Sequence, residues 1–360
     1  MTAAFADRRK SLVEKMDGEQ VDSLLITRPA DWYYLTGFTG ESGALVVSRR
    51  GSTLITDGRF AGQAKTETPG VNVVLQKPSL FESAGRFIGS QNYKNVGFDP
   101  TQLSVAQFRA VRKAAGRGSK WKPVSGLTAA LRMRKQPQEL AVMRRAAILA
   151  GQVVEGVVGL LKTGVRELEI AAEVEFQMRK LGASGPAFET IVAFGERSAL
   201  PHARPTPKRL KKNELVVLDV GAILAHYCSD ITRTFYFGTA PKRIRMWYQS
   251  VQDAQVAAIA AVKNGASCGD VDAAARQVLE RTGLDKYFVH STGHGLGLEV
   301  HEDPRLGRGQ KQRLEPGNVV TIEPGVYVEG IGGIRIEDDV AVHSDRTEVL
   351  TRIPRDLIEI

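Results

Sequence analysis

Residues 214–237 read ELVVLDVGAILAHYCSDITRTFYF, two apolar runs that each carry one aspartate. Asp219 closes the first run and Asp230 opens the second. If the runs form a hairpin that turns near Leu224–Ala225, the two carboxylates lie opposite each other, with Cβ atoms about 5 Å apart. Two carboxylates that close repel, so one holds a proton or a cation lies between them. The alternative is that both aspartates are turn residues at strand ends, and this segment alone supports the two interpretations equally.

A second carboxylate pair lies near the end of the chain, in VVTIEPG and GIRIEDD. Glu323 follows an apolar run, where an ionised group is costly unless it is paired. A turn in the glycine-rich stretch around Gly330 would bring Glu323 close to Glu337. Arg335 shares a strand face with Glu337, because side chains two residues apart point the same way. A structural salt bridge would explain one such pair, but two similar pairs indicate a bound cation.

HSTGHGLGLEVHEDP (290–304) places His290, His294 and His301 among glycines that let the backbone approach a ligand. One histidine is usually a satisfied core residue, but three so close together favour a site. Four carboxylates carry −4 and two divalent cations carry +4, so the set is neutral with two metals. Oxygen-rich ligation with one imidazole suits Mn²⁺ or Fe²⁺, with Co²⁺ and Zn²⁺ as alternatives. Two metals bridged by carboxylates are typical of hydrolytic sites.

The composition is that of a globular protein of about two domains, with 360 residues, 42% hydrophobic and 25% charged. Only two cysteines, Cys228 and Cys268, exclude a disulfide framework and a Cys-rich zinc ribbon. The chain has no run of 18 apolar residues, and its start, MTAAFADRRK, lacks the apolar stretch of a signal peptide. We therefore expect a cytoplasmic protein without a membrane span.

Positive charge is concentrated in one segment of a chain whose net charge is +9. From Arg109 to Lys135 there are nine Lys or Arg residues and no Asp or Glu. A basic face could bind nucleic acid, and the alternative is a solvated linker and helix face. No known nucleic-acid reader motif accompanies the charge, so we do not expect nucleic acid as a partner.

The first third of the chain alternates short apolar runs with amphipathic stretches, which predicts a small α/β domain with a mixed sheet. GRGSKWKPVSG (116–126) then has the composition of a linker. We place the first domain at 1–125, the linker at 126–136 and the second domain at 137–360, where Pro137 begins a long helix. Blocks of helices and mostly antiparallel strands make the second domain α+β.

At the carboxylates and His294 the chain resembles the pita-bread, M24-type metallopeptidases. The match covers essentially residues 135–345 with its order and spacing intact: Asp219-x10-Asp230, the glycine-flanked His294, Glu323-Pro-Gly and Arg-Ile-Glu337. The first domain resembles the creatinase-type N-terminal domain of the proline-specific branch, which contains Xaa-Pro dipeptidase (prolidase) and aminopeptidase P. The resemblance implies an α/β creatinase-type domain with a mixed sheet, followed by an α+β pita-bread catalytic domain.

The resemblance implies two divalent metal ions per subunit, Mn²⁺ first, with Co²⁺, Fe²⁺ or Zn²⁺ as alternatives. The implied metal ligands are Asp219, Asp230, His294, Glu323 and Glu337, and all five are present. Asp230 and Glu337 would be the more bridging pair. Arg335 would support the metal carboxylates.

The resemblance also assigns three histidines. His202, in ALPHARP, matches the histidine that meets the substrate. His290 matches the one that stabilises the developing oxyanion or the peptide carbonyl. His301 matches the proton-shuttling or proline-side histidine. His226 and His343 match no such role, and we interpret them as structural.

The implied activity is two-metal hydrolysis of an Xaa-Pro bond with release of the N-terminal residue. An Xaa-Pro bond has no N–H, so it fits ordinary protease clefts poorly, and its nitrogen must be protonated as it leaves. An activated water and a nearby carboxylate or histidine supply both needs. We expect Glu323 to be the ligand that also takes the proton of the water.

Arg305, in HEDPRLG, makes us favour a dipeptidase. A guanidinium binds a free carboxylate through two parallel hydrogen bonds, and prolidase-like chains resemble this one in carrying an arginine there. If Arg305 is only a solvent-facing loop residue, the alternative is aminopeptidase P acting on longer peptides. A non-catalytic pita-bread binding module is the alternative of another class, but such modules usually lose metal ligands.

Two further expectations concern assembly. The family is often dimeric, so we expect a homodimer acting on proline-containing dipeptides or short peptides. The aromatic segment DWYYLTGFTG (31–40) either covers the site of this or a partner subunit, or forms the core of its own domain.

Overall fold

The structure is a computed structural model that describes residues 2–360. It divides into two compact units, the residues up to Arg132 and Met133–Ile360. Among the described residues, no helix combines the length and the apolar character that crossing a bilayer requires.

The first unit is built on one six-stranded sheet. Its strands are β1 (Ser23–Ile26), β2 (Ala44–Ser48), β3 (Gly51–Thr56), β4 (Asn72–Leu75), β5 (Asn95–Phe98) and β6 (Lys120–Pro123). Its helices are α1 (Thr2–Gly18), α2 (Pro29–Thr36), α3 (Ala61–Glu67), α4 (Leu80–Ser90), α5 (Val105–Ala115) and α6 (Leu127–Arg132). The strand order is β4-β3-β2-β1-β5-β6, and β1 runs antiparallel to β2 but parallel to β5. The predicted mixed sheet is confirmed.

The aromatic segment at 31–40 belongs to the core of this unit. Trp32, Tyr34 and Phe38 are each less than 5% exposed, and the rings of Trp32 and Phe38 lie 6.4 Å apart. Of the two interpretations of this segment, the domain core accounts for these three side chains.

The structure corrects the predicted linker. Part of the linker-like stretch 116–126 forms the edge strand β6, where Pro123 is tolerated because an edge strand can spare a hydrogen bond. Residues 127–132 form α6 within the first unit instead of an extended connection. Composition is a poor guide here because Gly, Ser, Pro and Lys are compatible with short edge elements as well as loops.

The expected solvated charge of this stretch is also corrected at two positions. Arg132 is buried and pairs with Asp31 at 2.7 Å, and Lys135 is buried and pairs with Glu302 at 3.1 Å. Their partners lie 101 and 167 residues away in the sequence, so a local charge count could not reveal them.

The second unit combines four long helices with short sheets. The helices are α7 (Pro137–Val158), α8 (Glu167–Lys180), α9 (Lys242–Ala261) and α10 (Cys268–Arg281). The strands before α9 are β7 (Gly185–Pro186), β8 (Ile191–Phe194), β9 (Glu214–Val220), β10 (Ala222–Leu224), β11 (Tyr227–Cys228) and β12 (Ile231–Phe237). The strands after α10 are β13 (Gly293–Gly295), β14 (Glu302–Leu306), β15 (Val319–Ile322), β16 (Gly325–Val328), β17 (Gly332–Arg335), β18 (Asp338–Val342) and β19 (Thr347–Val349).

Two sheets of this unit carry the carboxylates, and strand alternation sets where they point. In β9, Val216, Leu218 and Val220 pack into the core formed with α7 and α8, so Asp219 points to the opposite face. In β15, Val320 and Ile322 pack into the core formed with α9 and α10, so Thr321 points away from those helices. The helices therefore cover the apolar faces of the two sheets, and Asp219 and Thr321 lie on the opposite faces.

Candidate metal centre

The first carboxylate pair lies on the hairpin formed by β9 and β12. The sequence predicted that Asp219 and Asp230 lie directly opposite each other. Instead Asp219 pairs with Thr232, so Asp230 is diagonal to Asp219. The turn falls at Ala225–His226, one residue later than expected, and both residues have positive φ, 44° and 71°. Such turns usually carry Gly, Asn or Asp, so the sequence did not mark this one. Asp230 lies two residues before Thr232, so their side chains point to the same face of the sheet, which is also the face of Asp219.

The second pair lies on the hairpin formed by β16 and β17. Gly325 pairs with Arg335, and continuing this register outward puts Glu323 across from Glu337. The predicted turn is confirmed, with Gly330 at φ 73°. The backbone N–H of Glu323 donates to the carbonyl of Thr292 at 2.8 Å, which holds Glu323 beside the histidine strand.

His294 lies on β13 between two glycines that the packing requires. A Cβ added to Gly293 would lie 1.8 Å from the carbonyl oxygen of Thr321, and one added to Gly295 would lie 2.1 Å from that of Asp303. The imidazole Nδ1 is 3.0 Å from the Gly295 carbonyl, so it carries the proton and Nε2 presents a lone pair. This Nε2 lies 3.5 Å from Glu323 Oε1 and 3.8 Å from Asp230 Oδ2.

Burial and mutual repulsion shift the pKa values of the carboxylates upward. Burial and then repulsion from Glu337 raise the pKa of Asp230 well above its usual range. Burial and then repulsion from Glu323 do the same to the pKa of Glu337. Burial raises the pKa of Glu323 to about 8, although Arg335 opposes the shift. Protein groups alone therefore do not stabilise this cluster in its ionised form.

The cluster has the properties of a divalent metal site. Asp230, His294 and Glu337 offer ligand atoms that all lie within 4.8 Å of one another. Oδ1 of Asp219 and Oδ1 of Asp230 are buried without a hydrogen-bond partner among the described residues. Buried carboxylate oxygens of this kind need a compensating charge, and hard oxygen donors with one imidazole suit a divalent cation. His294 and Glu323 keep 16% and 17% of their side chains exposed, so solvent reaches the cluster from their side.

Arg335 supplies the positive charge within the cluster. Its Nη2 donates to Asp219 Oδ2 at 2.5 Å and its Nε donates to Thr232 Oγ1 at 2.9 Å. Burial acts to lower the pKa of Arg335, but Tyr327 and the nearby carboxylates raise it well above its usual range, so the guanidinium stays charged. Arg335 therefore orients Asp219 directly, and its hydrogen bond to Thr232 links it to Glu337, because Thr232 Oγ1 donates to Glu337 Oε2 at 2.6 Å.

Three hydroxyl residues of this site were not predicted from the sequence. Thr232 links Arg335 to Glu337, and Thr321 Oγ1 accepts from the backbone of His294 at 3.1 Å. Each threonine lies two residues from a predicted ligand, so strand alternation could have identified both. Tyr327 had no such signal, because it belongs to the site only through contacts with residues distant in the sequence.

The three assigned histidines lie around this cluster. His290 Nδ1 is 2.8 Å from the Ser291 carbonyl and its Nε2 is 2.9 Å from the Tyr327 hydroxyl, which itself accepts from Arg335 Nη1 at 2.7 Å. Burial, followed by the charge of Arg335, lowers the pKa of His290 to about 4, so the ring is neutral near pH 7 and Tyr327 donates to it.

His301 and His202 approach from the exposed side. The rings of His301 and His294 lie 4.4 Å apart, and burial followed by the charge of His202 lowers the pKa of His301. His202 is exposed, and Arg335 Nη1 donates to the carbonyl of its neighbour Pro201 at 3.1 Å.

Three other residues named from the sequence lie further out. Arg305, on β14, is exposed, and its Nε donates to Ser291 Oγ at 2.8 Å. His343 bonds to Glu348 at 2.9 Å, and His226 occupies the β10–β11 turn.

Comparison with known families agrees with this geometry. The model of metallopeptidase family M24 matches residues 141–344, more than half of the chain, and the creatinase/prolidase N-terminal domain matches residues 8–134. The chain belongs to metallopeptidase family M24. It is a metal-dependent peptidase, and its cofactors are divalent metal ions.

Individual proteins match this family member over nearly its whole length. An Xaa-Pro dipeptidase of Pyrococcus furiosus is 35% identical over 98% of this chain and 99% of its own. The structure of an Xaa-Pro dipeptidase from Bacillus anthracis has a TM-score of 0.96 at 35% identity, covering 99% of this chain and 100% of its own. The structure of an X-Pro aminopeptidase from Thermotoga maritima has a TM-score of 0.89 at 34% identity, covering 98% and 100%. The expected creatinase-type and pita-bread folds are confirmed.

Proposed function

We propose that this M24 peptidase is an Xaa-Pro dipeptidase that uses two divalent ions. The observation that carries the proposal is the convergence of two carboxylate pairs on His294, with unpartnered buried oxygens on Asp219 and Asp230. Relatives that share about a third of their residues over the whole chain and are named Xaa-Pro dipeptidases support the substrate class.

The ligands we assign are Asp219, Asp230, His294, Glu323 and Glu337. Four carboxylates and one neutral imidazole balance the charge of two divalent ions, and this donor set favours Mn²⁺. Asp230 and Glu337 would be the more bridging pair, because Glu337 lies close enough to raise the pKa of Asp230 and both offer ligand atoms within 4.8 Å of each other and of His294. When bound, the ions polarise the scissile carbonyl and lower the pKa of the attacking water.

The remaining chemistry belongs to side chains of the protein. Glu323 takes the proton of the attacking water, because its Oε1 lies 3.5 Å from His294 Nε2 at the partly exposed edge of the cluster. His301, whose ring lies 4.4 Å from that of His294, is our choice for the group that passes a proton to the prolyl nitrogen as it leaves. Neutral His290, fixed by Tyr327 and Ser291, lines the carbonyl side of the site.

Arg305 is the residue we assign to the free proline carboxylate. Its Nε is fixed by Ser291, and its Nη groups form no hydrogen bond with the residues the structure describes. β14 pairs with the strand of His294, with Leu306, next to Arg305, opposite Gly293, and this pairing supports the assignment. The aminopeptidase from Thermotoga maritima keeps hydrolysis of longer peptides as a second candidate, in which Arg305 would be a surface residue.

Hydrolysis of Leu-Pro and Leu-Pro-Pro, compared side by side with Mn²⁺ and with a chelated control, tests the proposal. We expect chelator-sensitive turnover of the dipeptide and little turnover of the tripeptide. Replacement of Arg305 by Ala should then raise KM for Leu-Pro much more than for the tripeptide. Efficient turnover of the tripeptide would establish the aminopeptidase instead, and activity on neither peptide would favour a different substrate.

The homodimer and the cytoplasmic location expected from the sequence stay predictions. Sedimentation of the purified protein tests the first, and fractionation of cells tests the second. Metal content of the purified protein tests the two-ion stoichiometry.

A further inference from the structure

The loop formed by residues 194–206, which we call the His202 loop, has both ends bonded to one buried carboxylate. Glu167, the first residue of α8, is 0% exposed. Its Oε1 accepts from the backbone N–H of Phe194 at 2.9 Å, and its Oε2 accepts from the backbone N–H and the hydroxyl of Thr206 at 2.9 and 2.6 Å. One side chain of α8 therefore closes the loop at its base.

The same carboxylate reaches the exposed part of the loop through Arg197. Arg197 Nε lies 3.1 Å from Glu167 Oε2, and Arg197 Nη2 donates to the carbonyl of Arg204 at 2.6 Å. The guanidinium thus extends the Glu167 contact to a residue two positions after His202. Charge-assisted bonds of this kind are stronger than neutral ones and fix direction as well as distance.

The middle of the His202 loop is fixed to the metal-site hairpin. Ser198 Oγ accepts from the backbone N–H of Gly333 at 2.8 Å, and Arg335 donates to the carbonyl of Pro201 at 3.1 Å. Arg335, which also binds Asp219, therefore fixes the backbone next to His202.

The partners of Glu167 exceed what the start of a helix needs. A carboxylate in the first turn favourably meets the helix dipole, and a capping side chain satisfies one or two free N–H groups of its own helix. Here the side-chain oxygens accept from three residues of the His202 loop and from no N–H of α8. The arrangement serves the loop.

We propose that Glu167 is a positioning residue for His202 and sets how that imidazole meets the substrate. The inference rests on the proposed function, in which His202 contacts an Xaa-Pro peptide. Glu167 touches neither substrate nor metal, and it acts by keeping the loop in one conformation. Misplacing a contact group by about 1 Å can cost as much as 100-fold in rate.

Two matched variants of Thr206 test the role without removing the buried charge. Thr206→Ser keeps the hydroxyl donor to Glu167, whereas Thr206→Val removes it at similar volume. We expect Thr206→Val to lower kcat/KM for Leu-Pro roughly tenfold and Thr206→Ser to stay near wild type. Glu167→Gln should lower kcat/KM further than Thr206→Val does, because the new amide group would face hydrogen-bond donors. Glu348→Gln, which removes the partner of Arg144 elsewhere in the unit, should leave kcat/KM unchanged.

A double-mutant cycle with His202→Ala separates positioning from general destabilisation. If Glu167 acts through His202, Thr206→Val and Glu167→Gln shift the same parameter, KM or kcat, as His202→Ala does. Their further effect in the His202→Ala background should be less than about twofold. Mn²⁺ affinity should be unchanged in all of these folded variants.

Additive effects, or equal losses in Thr206→Ser and Thr206→Val, would overturn the role of Glu167 while leaving Leu-Pro hydrolysis by the wild type intact. No hydrolysis of Leu-Pro by the wild type would instead overturn the proposed function. Full activity of His202→Ala in an enzyme that hydrolyses Leu-Pro would overturn the positioning role alone.

Discussion

Glu323 shows how a single side chain can be costly to the apoprotein and useful to the enzyme. It follows the buried strand β15, and burial raises its pKa to about 8. The pKa values of its neighbours Asp230 and Glu337 are also raised, well above their usual ranges. Each group therefore resists ionisation in the metal-free protein, yet each must be ionised to bind a metal.

Mn²⁺ binding should consequently release protons and become tighter as the pH rises. The folded, metal-free protein holds a proton on Glu323 below about pH 8, so the metal competes with that proton there and no longer does so above it. We expect the affinity to rise between about pH 6 and pH 8 on this account. Titration calorimetry in two buffers of different ionisation enthalpy measures both the affinity and the number of protons released.

Glu323→Gln provides the control for this titration. It removes the ionisable group at nearly constant volume, so the variant should release fewer protons per metal and bind less tightly. An affinity that is flat across the neutral range, with no buffer dependence of the heat, would contradict the protonation argument.

At the scale of elements, turn chemistry decided what the sequence could predict. The β16–β17 turn contains Gly330 with positive φ, and the pairing of Glu323 with Glu337 was predicted from it. The β10–β11 turn places positive φ on Ala225 and His226, which carry no such signal, so the register of Asp230 was misjudged. Asp219 and Asp230 nevertheless share one face as predicted, because the observed register differs from the predicted one by two residues, which is one full period of a strand.

Gly295 is the position where the histidine strand has the least tolerance for substitution. A Cβ there would lie 2.1 Å from the carbonyl oxygen of Asp303 in the paired strand β14, so backbone must move. We expect Gly295→Ala to lower the free energy of unfolding by about 1–3 kcal/mol and to weaken metal binding through displacement of His294. Urea unfolding and Mn²⁺ titration measure the two effects.

Gly159→Ala is the matched control in the same unit. Gly159 follows α7 with φ −65°, and nothing lies within 4 Å of an added Cβ. This variant should keep wild-type stability and metal affinity. Equal tolerance of both substitutions would show that β13 and β14 separate more easily than their contact implies.

At the scale of the whole molecule, ion pairs between distant segments were invisible to sequence patterns. Arg132 and Lys135 looked like solvated linker charges, but each is buried against a carboxylate far away in the chain. The family resemblance identified the metal ligands, because the order and spacing of the motifs are visible in the sequence without these contacts. Tyr327 and Glu167 were missed for the same reason as the two buried pairs, since only the folded chain brings their partners together.

Arg144 and Glu348 form one such pair within the second unit, joining α7 to β19. Two hydrogen bonds of 2.7 and 2.9 Å connect them, and the Arg144 bond, together with His343, lowers the pKa of Glu348 to about 2. Because the folded-state pKa of Glu348 lies below its unfolded value, the ionised carboxylate stabilises the fold at pH values above the unfolded pKa. This stabilisation is lost as the pH falls toward 2. We expect Glu348→Gln to cost about 1–2 kcal/mol at pH 7 and progressively less below about pH 4.5. Urea unfolding of both proteins across this range, with chelator present, measures the difference, and a cost independent of pH would contradict it.

The metal cluster should have the opposite effect on stability, because its acids oppose folding until a cation binds. Burial and repulsion raise the pKa of Asp230 well above that of an exposed carboxyl, so the metal-free fold loses stability as the pH rises past the unfolded pKa toward pH 7. Asp230→Asn should therefore be at least as stable as the wild type in chelator. Mn²⁺ at 100 times its dissociation constant should stabilise the wild type by about 2.7 kcal/mol, or about 5–10 °C in the transition of the second unit, and leave the variant nearly unchanged.

Calorimetry of both proteins with chelator and with Mn²⁺ measures these four transitions. A metal-free variant that melts well below the metal-free wild type would mean that Asp230 is primarily a structural residue. The expected order would mean that the stability lost to these buried acids is recovered only when the site is loaded.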